Sequence, residues 1–263
     1  PAKRYRGRRV VTNSLKRNYD AAKINRLTND WTTQSGTAAQ EIYSAWKILV
    51  ARSRDLAKND DYVRRYLNMA KTNVVGHKGI RLQVRSMNAK GTLDEYANNQ
   101  IEAGWATWGK VGSPTVDGRQ SWIDVQNMYT WQLPRDGEVF IIKHPGWKDN
   151  KFRFALEFID PEMIDVQMNM KLQNGNIVVM GVEMNKWKRP VAYWMLDNHP
   201  NVVYPTSIGS RRTRIPAENM IHAFVMERAG QPRGIPWTAA PMLRLQMLNG
   251  FEEAELVASR TSA

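Results

Sequence analysis

Apolar positions recur at helical spacing in the first half of the chain. In residues 38–72 they stand three and four apart, which predicts an amphipathic helix. Asn59, Asp60 and Asp61 interrupt the run, and such residues favour a break with a cap for a second helix. The same spacing predicts helices over about 93–110 and 120–133. A glycine-containing turn before them leads into a predicted short strand, 80–85.

The pattern changes after Asp136 and Gly137. Four segments with strand character follow, separated by turn residues such as Asn174-Gly175, and they are 138–143, 152–158, 177–184 and 190–196. Helices first and strands afterwards favour an α+β fold with a mostly antiparallel β region. A final apolar run at helical spacing, 238–263, predicts a long helix at the end, and this helix carries no glycine or proline stop signal. We therefore expect it to extend beyond the chain or into an assembly.

Positive charge is concentrated at the start of the chain. The 263 residues carry a net charge of +13, and residues 1–26 hold nine basic side chains against one acid. We interpret residues 1–37 as a basic arm and linker. The arm is either a solvated tail or a contact for nucleic acid or an acidic protein surface. The candidate contact residues are Lys3, Arg4, Arg6, Arg8, Arg9, Lys16 and Arg17.

The sequence offers no convincing catalytic or metal centre. There is no cysteine, no phosphate-binding loop and no paired histidine motif, so we expect neither an enzyme nor a cofactor. Asp160, Glu162 and Asp165 could hold Mg²⁺ in a nuclease, but a polar turn after a strand explains them better.

Tryptophan is frequent, with 10 residues in all. Trp105 and Trp108 could stack on the bases of a single strand, although their spacing on one helical face favours core packing. We predict a structural core that contains Trp46, Trp105, Trp108 and Trp122.

The most informative segment is 228–237, with the sequence RAGQPRGIPW. Its two prolines stiffen the chain before the final helix, and we expect Gly234 to adopt a positive φ. Arg228 and Arg233 are candidates for ion pairs with a neighbouring subunit. The segment is thus predicted to be a joint and subunit interface, with Arg228, Gln231, Pro232, Arg233, Gly234, Pro236 and Trp237 as its residues.

Seven stretches, taken in order, resemble the portal proteins of lambda-like tailed bacteriophages. They are ARSRDLAKND, NVVGHKGIRLQ, the pair Trp105 and Trp108, RDGEVFI, RPVAYW, IPAENMIHAF and RAGQPRGIPW with its helix. Portal proteins of this type are considerably longer. The resemblance therefore implies that the clip, the returning stem helix, the tunnel loop and the crown are absent from this chain.

The resemblance implies a structural subunit of a ring, usually of twelve copies, at one capsid vertex. Double-stranded DNA would enter and leave through the ring, with a terminase motor, the major capsid protein and head-tail connector proteins as partners. Assembly would take place in the host cytoplasm. In this interpretation 38–236 is the wing and 237–263 the beginning of the stem.

The alternative is a monomeric DNA-binding or DNA-processing factor that uses the basic arm. Mass in solution distinguishes the two, because a ring is many times heavier than one chain.

Overall fold

The computed structural model describes residues 29–201 and 211–262, together with Ala22 and Arg26. By their contacts, Pro1–Gly36 and Thr37–Ala263 form two separate units, and the fold below is that of the second. None of the described helices is both long enough and apolar enough to cross a lipid bilayer.

In the part of the chain that the structure describes, four α-helices come first, as predicted. They are α1 (Ala38–Asn59), α2 (Asp61–Val74), α3 (Glu95–Trp108) and α4 (Trp122–Asp136). The break between α1 and α2 falls at Asp60, whose carboxylate accepts a hydrogen bond from the Val63 amide and so caps α2. Ser121 and Asp124 form a capping box that fixes the start of α4.

The β region follows α4. Its strands are β1 (Glu138–Pro145), β2 (Phe154–Ile159), β3 (Met170–Lys171), β4 (Ile177–Val179), β5 (Val182–Met184), β6 (Pro190–Leu196), β7 (Arg212–Pro216) and β8 (Met220–Phe224). They form two antiparallel sheets with the orders β2-β1-β8 and β3-β4-β5-β6-β7. Short 3-10 turns lie at Pro161–Met163 and Ala217–Asn219, and α5 (Met242–Ser262) ends the described chain. The α+β class is confirmed.

Strand β1 is central because both of its faces are buried. Phe140 and Ile142 pack towards the larger sheet, whereas Val139 and Ile141 pack under α3 and α4. Such a strand has no polar face, which explains its nearly continuous apolar sequence.

Two predictions of strands are wrong in detail. Residues 80–85 join no ladder among the described strands, and side chains take backbone groups that a neighbouring strand would use. Gln126 bonds both the amide and the carbonyl of Ile80, and Glu102 accepts from the Val84 amide. The predicted strand 177–184 is two strands, β4 and β5, separated by a turn at Met180 and Gly181, both with positive φ. The strands β3, β7 and β8 were not predicted.

Candidate functional site: the joint and the terminal helix

Residues 228–237, which we call the joint, are packed against the junction between α4 and β1. The Trp237 amide donates to the carbonyl of Pro134 in the last turn of α4 (3.0 Å). The Gly234 amide donates to the carboxylate of Glu138, the first residue of β1 (3.0 Å). These bonds satisfy backbone groups in the second half of the segment and hold it in one position.

Arg233 is the centre of the joint, and its side chain is fully buried. It forms an ion pair with Glu138, with 2.7 Å between Nη2 and Oε1. Its other N–H groups donate to backbone carbonyls of Pro161, Ile164 and Met180. The guanidinium also lies 4.6 Å from the centre of the Trp46 ring in α1. One side chain therefore connects α1, both sheets and the approach to α5.

Glu138 is also fully buried and accepts a hydrogen bond from His222 of β8 (2.9 Å). Burial alone would raise the pKa of Glu138, but the charge of Arg233 and the hydrogen bond from His222 outweigh it and hold the pKa at about 2. For His222, burial is the largest effect and lowers the pKa, although Glu138 partly opposes this. At neutral pH the network is therefore an Arg–Glu ion pair supported by a neutral histidine.

This geometry corrects the expectation that Arg233 pairs with a neighbouring subunit. The N–H groups of its guanidinium already bond partners in its own chain. A buried guanidinium requires such partners, because an unpaired buried donor is costly. Arg228 is half exposed and pairs with Glu41 of α1, with 2.8 Å between Nη1 and Oε2. Of the two arginines, only Arg228 lies at the surface.

The expectation of a positive φ at Gly234 is also wrong, since Gly234 is not among the residues of that conformation. The reason for glycine is space. A Cβ at Gly234 would lie 2.9 Å from the Glu138 Cβ and closer still to the Gly137 carbonyl. Glycine is required here for close backbone contact rather than for a turn.

The remaining joint residues differ in exposure. Gln231, Pro232 and Pro236 are buried, whereas Trp237 is 45% exposed. The Gln231 side chain accepts from the Glu227 amide and donates to the Arg233 carbonyl, and so closes the loop on itself.

Helix α5 has two apolar faces, of which the body covers one. Met242 and Leu245 pack against α1 and α2, while Asn249 donates to Asp60 and Glu252 accepts from Tyr62.

The opposite face, which we call the α5 stripe, is exposed. It comprises Leu243, Met247, Phe251, Ala254 and Val257. The spacing of these residues places them on one side of a helix. Four of the five are 53–71% exposed large apolar side chains, an unusual concentration for a surface without a partner.

The four predicted core tryptophans lie in two places. Trp46 is 1% exposed and packs beside Arg233. Trp105, Trp108 and Trp122 form one aromatic cluster over β1, with ring centres 4.9–5.4 Å apart. Trp108 is buried and donates to the Phe154 carbonyl, whereas Trp105 and Trp122 are partly buried. Stacking on nucleic acid would require Trp108 to leave this cluster.

The acidic residues considered for Mg²⁺ all form ion pairs with arginines, but not all with the same arginine. Asp160 and Glu162 come within 4.8 Å of His199, a residue that sequence spacing did not connect with them. Arg54 of α1 forms ion pairs with Asp160 (2.9 Å) and Glu162 (3.2 Å), and it also pairs with Asp136. Because this guanidinium already supplies the positive charge, the geometry favours an ion-pair network over a cation site. Asp165 is bound separately by Arg212.

The candidate contact residues of the arm, Lys3, Arg4, Arg6, Arg8, Arg9, Lys16 and Arg17, lie outside the described residues. The joint and the α5 stripe are therefore the candidate site that the structure describes.

Comparisons with known proteins agree with the resemblance. The family model described as phage portal protein, lambda family, matches residues 25–263. The probable portal protein of Halomonas phage phiHAP-1 is 33% identical over 252 residues, which are 95% of this chain and 48% of that protein. The chain thus spans about half the length of the curated relative that it matches.

Proposed function

The chain belongs to the lambda family of phage portal proteins, and from that membership we propose that it forms the wing and the first part of the stem of a ring-shaped portal. Portal proteins of this family are structural, non-enzymatic components of the phage. The expectation that the chain carries no catalytic centre agrees with this family role.

The observation that supports a ring is the α5 stripe. Its large apolar side chains lie opposite the face that α5 already packs against α1 and α2. Burial of the second apolar face of such a helix is favourable, because each Å² of apolar area removed from water contributes about 25 cal/mol of free energy. A ring supplies that partner in every subunit, since each copy uses two different surfaces and the contacts close on themselves.

The joint gives the proposed wing and stem a fixed geometry. In this proposal residues 1–37 are the arm, 38–236 the wing and 237–263 the beginning of the stem. Arg233 and its carbonyl partners set the direction in which α5 leaves the wing. A ring closes only if that direction is the same in all subunits, so a buried and saturated joint suits the role.

We place the ring, of twelve copies, at the capsid vertex, with assembly in the host cytoplasm. Double-stranded DNA would pass through its channel during packaging and ejection. The terminase motor, the major capsid protein and head-tail connector proteins would be its partners. A channel of this kind must not hold DNA firmly, because each phosphate contact adds salt-dependent affinity. The basic arm therefore fits the periphery better than the channel.

The test is the mass and shape of the protein in solution. We expect mass photometry at micromolar concentration to show one species many times the mass of a subunit, and negative-stain images to show rings. Monomers alone would overturn the ring and favour the DNA-binding alternative.

A pair of variants connects the ring to the α5 stripe. Phe251→Glu introduces charge into the stripe and should reduce the ring population strongly. Glu255→Gln alters the same helix outside the stripe and should leave rings intact. Equal assembly of the two variants would show that the stripe is not the contact.

A further inference from the structure

Two recesses along α4 share wall residues, and we call them together the α4 groove. One recess has a volume of about 520 Å³ and the other about 300 Å³, and Trp131, Arg135 and Asp160 line both. The other walls come from α1, α2 and the end of β2. No residue of the joint or of α5 lines either recess. The groove is therefore separate from the proposed ring contact.

The α4 groove carries more positive charge than its own acids neutralise. Arg54 and Arg135 pair with Asp136, and Arg54 also covers Asp160. The remaining cations that line the groove are Lys58, Arg64 and Lys71. Among the described residues none of these three has an ion-pair partner. Three uncompensated cations along one groove attract an anionic partner.

Helix dipoles explain two of these cations but not the third. Lys58 and Lys71 lie in the last turns of α1 and α2, where a positive charge is favourable. Arg64 lies in the first turn of α2, where a positive charge is unfavourable. Its place in the sequence therefore suggests a use other than helix stability.

The larger recess also contains an apolar surface and an amide that bonds no other described side chain or backbone group. Met128, Trp131, Phe158 and Ile159 line it. Gln132 lines it too and is only 7% exposed, yet its side-chain amide makes no hydrogen bond to any described residue. Its amide atoms are not enclosed, because Trp46 Nε1 is the one fully buried side-chain polar atom without a partner among the described residues. The amide is therefore accessible from the recess, where a bound backbone can meet both its donor and its acceptor.

We propose that the α4 groove binds an extended acidic peptide segment of a partner protein, with one bulky apolar side chain in the larger recess. The carboxylates of the segment pair with Lys58, Arg64 and Lys71. The Gln132 amide bonds its backbone. Trp131, which lines both recesses, packs against the apolar side chain.

The apolar recess favours a peptide over a nucleic-acid backbone. Phosphates would use the three cations and could accept from the Gln132 amide, but they would leave the apolar walls without a partner. An acidic peptide with an apolar anchor uses all of these features, as buried anchors do at protein interfaces.

The experiment measures fluorescence anisotropy of a labelled, glutamate-rich peptide with one central phenylalanine, titrated with the intact chain. Two matched peptides replace the phenylalanine with serine or all glutamates with lysine. We expect saturable binding that weakens with salt, a loss of about tenfold or more for the serine peptide, and no binding of the lysine peptide.

Neighbouring residues provide a matched pair of variants. Arg64→Glu and Arg65→Glu change the net charge equally, but only Arg64 lines the groove. We expect Arg64→Glu to weaken binding about tenfold or more and Arg65→Glu less than about threefold. Any attraction by the basic arm is common to both variants. Gln132→Met should weaken binding without lowering the melting temperature.

Other outcomes overturn the proposal. They are the absence of saturable binding by the phenylalanine peptide, equal losses for Arg64→Glu and Arg65→Glu, and equal affinity of the phenylalanine and serine peptides. Displacement of the peptide by random-sequence duplex DNA, with the same dependence on Arg64, would identify a nucleic-acid groove instead. None of these results bears on ring formation, which depends on α5.

Discussion

Gly137 and Gly234 touch backbone to backbone, and neither position has room for a side chain. A Cβ on Gly137 would lie 2.5 Å from the Pro236 nitrogen, and one on Gly234 would overlap the Gly137 carbonyl. Gly137 also has a φ of 85°, which ends α4 in the left-handed conformation. The contact therefore fixes the joint where α4 ends and β1 begins.

The first prediction concerns this contact. Gly234→Ala should destabilise the chain by about 1–3 kcal/mol, because the methyl group meets rigid backbone. The control is Gly104→Ala in α3, where a Cβ meets nothing within 4 Å. That change should stabilise the chain by about 0.5–1 kcal/mol, since alanine favours the helix. Urea unfolding measures both. Equal effects would show that the close contact is not a constraint.

The second prediction concerns Arg233. Arg233→Ala should cost about 3–5 kcal/mol, because it leaves the Glu138 carboxylate buried without its main partner. Arg228→Ala, which removes an exposed pair with Glu41, should cost no more than about 1 kcal/mol. A small effect of Arg233→Ala in urea unfolding would contradict the role of Arg233 as the centre of the joint.

The third prediction is a loss of stability in acid. His222 has a lowered pKa in the fold, so the unfolded chain binds its proton first as pH falls below about 6.5, and stability declines. Glu138 adds a second loss as pH falls from about 4.5, its ordinary pKa, towards about 2.

The measurement is the free energy of unfolding at pH 7 and pH 5. His222→Gln can keep a hydrogen bond to Glu138 but binds no proton, so its decline over this interval should be smaller. Identical declines in the two proteins would show that His222 does not contribute.

The fourth prediction concerns the aromatic cluster. Trp108→Ala should cost about 3–5 kcal/mol, and Trp105→Ala less, because the Trp105 ring is already partly in water. Urea unfolding gives both values. If both variants kept full stability but bound single-stranded DNA more weakly, the cluster would be a stacking site rather than core.

Local patterns determined much of the fold. A helix break at Asn59, Asp60 and Asp61, a helix over about 120–133 and a strand at 190–196 were all predicted from residues close together in the chain, and the structure has each of them with small shifts of the ends. Caps and turns act through neighbouring backbone groups, so the sequence contains the whole interaction.

The contacts of the joint depend on residues far apart in the chain. Arg233 looked like an interface residue because the sequence does not show which carboxylate lies within its reach. Glu138, 95 positions away, meets it only after β1 and the joint have docked. The same holds for Gly234, whose need for glycine comes from Gly137 and not from its own φ. Residues 80–85 likewise form no strand, because Gln126 of α4 and Glu102 of α3 bond their backbone groups.

By itself the sequence determined the α+β class, the family and the importance of the segment 228–237. Only the tertiary structure decided that Arg233 is buried, that α5 leaves one apolar face exposed, and that Gln132 faces a basic groove. The physical reason is that spacing fixes which side of a helix a residue occupies, whereas burial depends on what packs against that side.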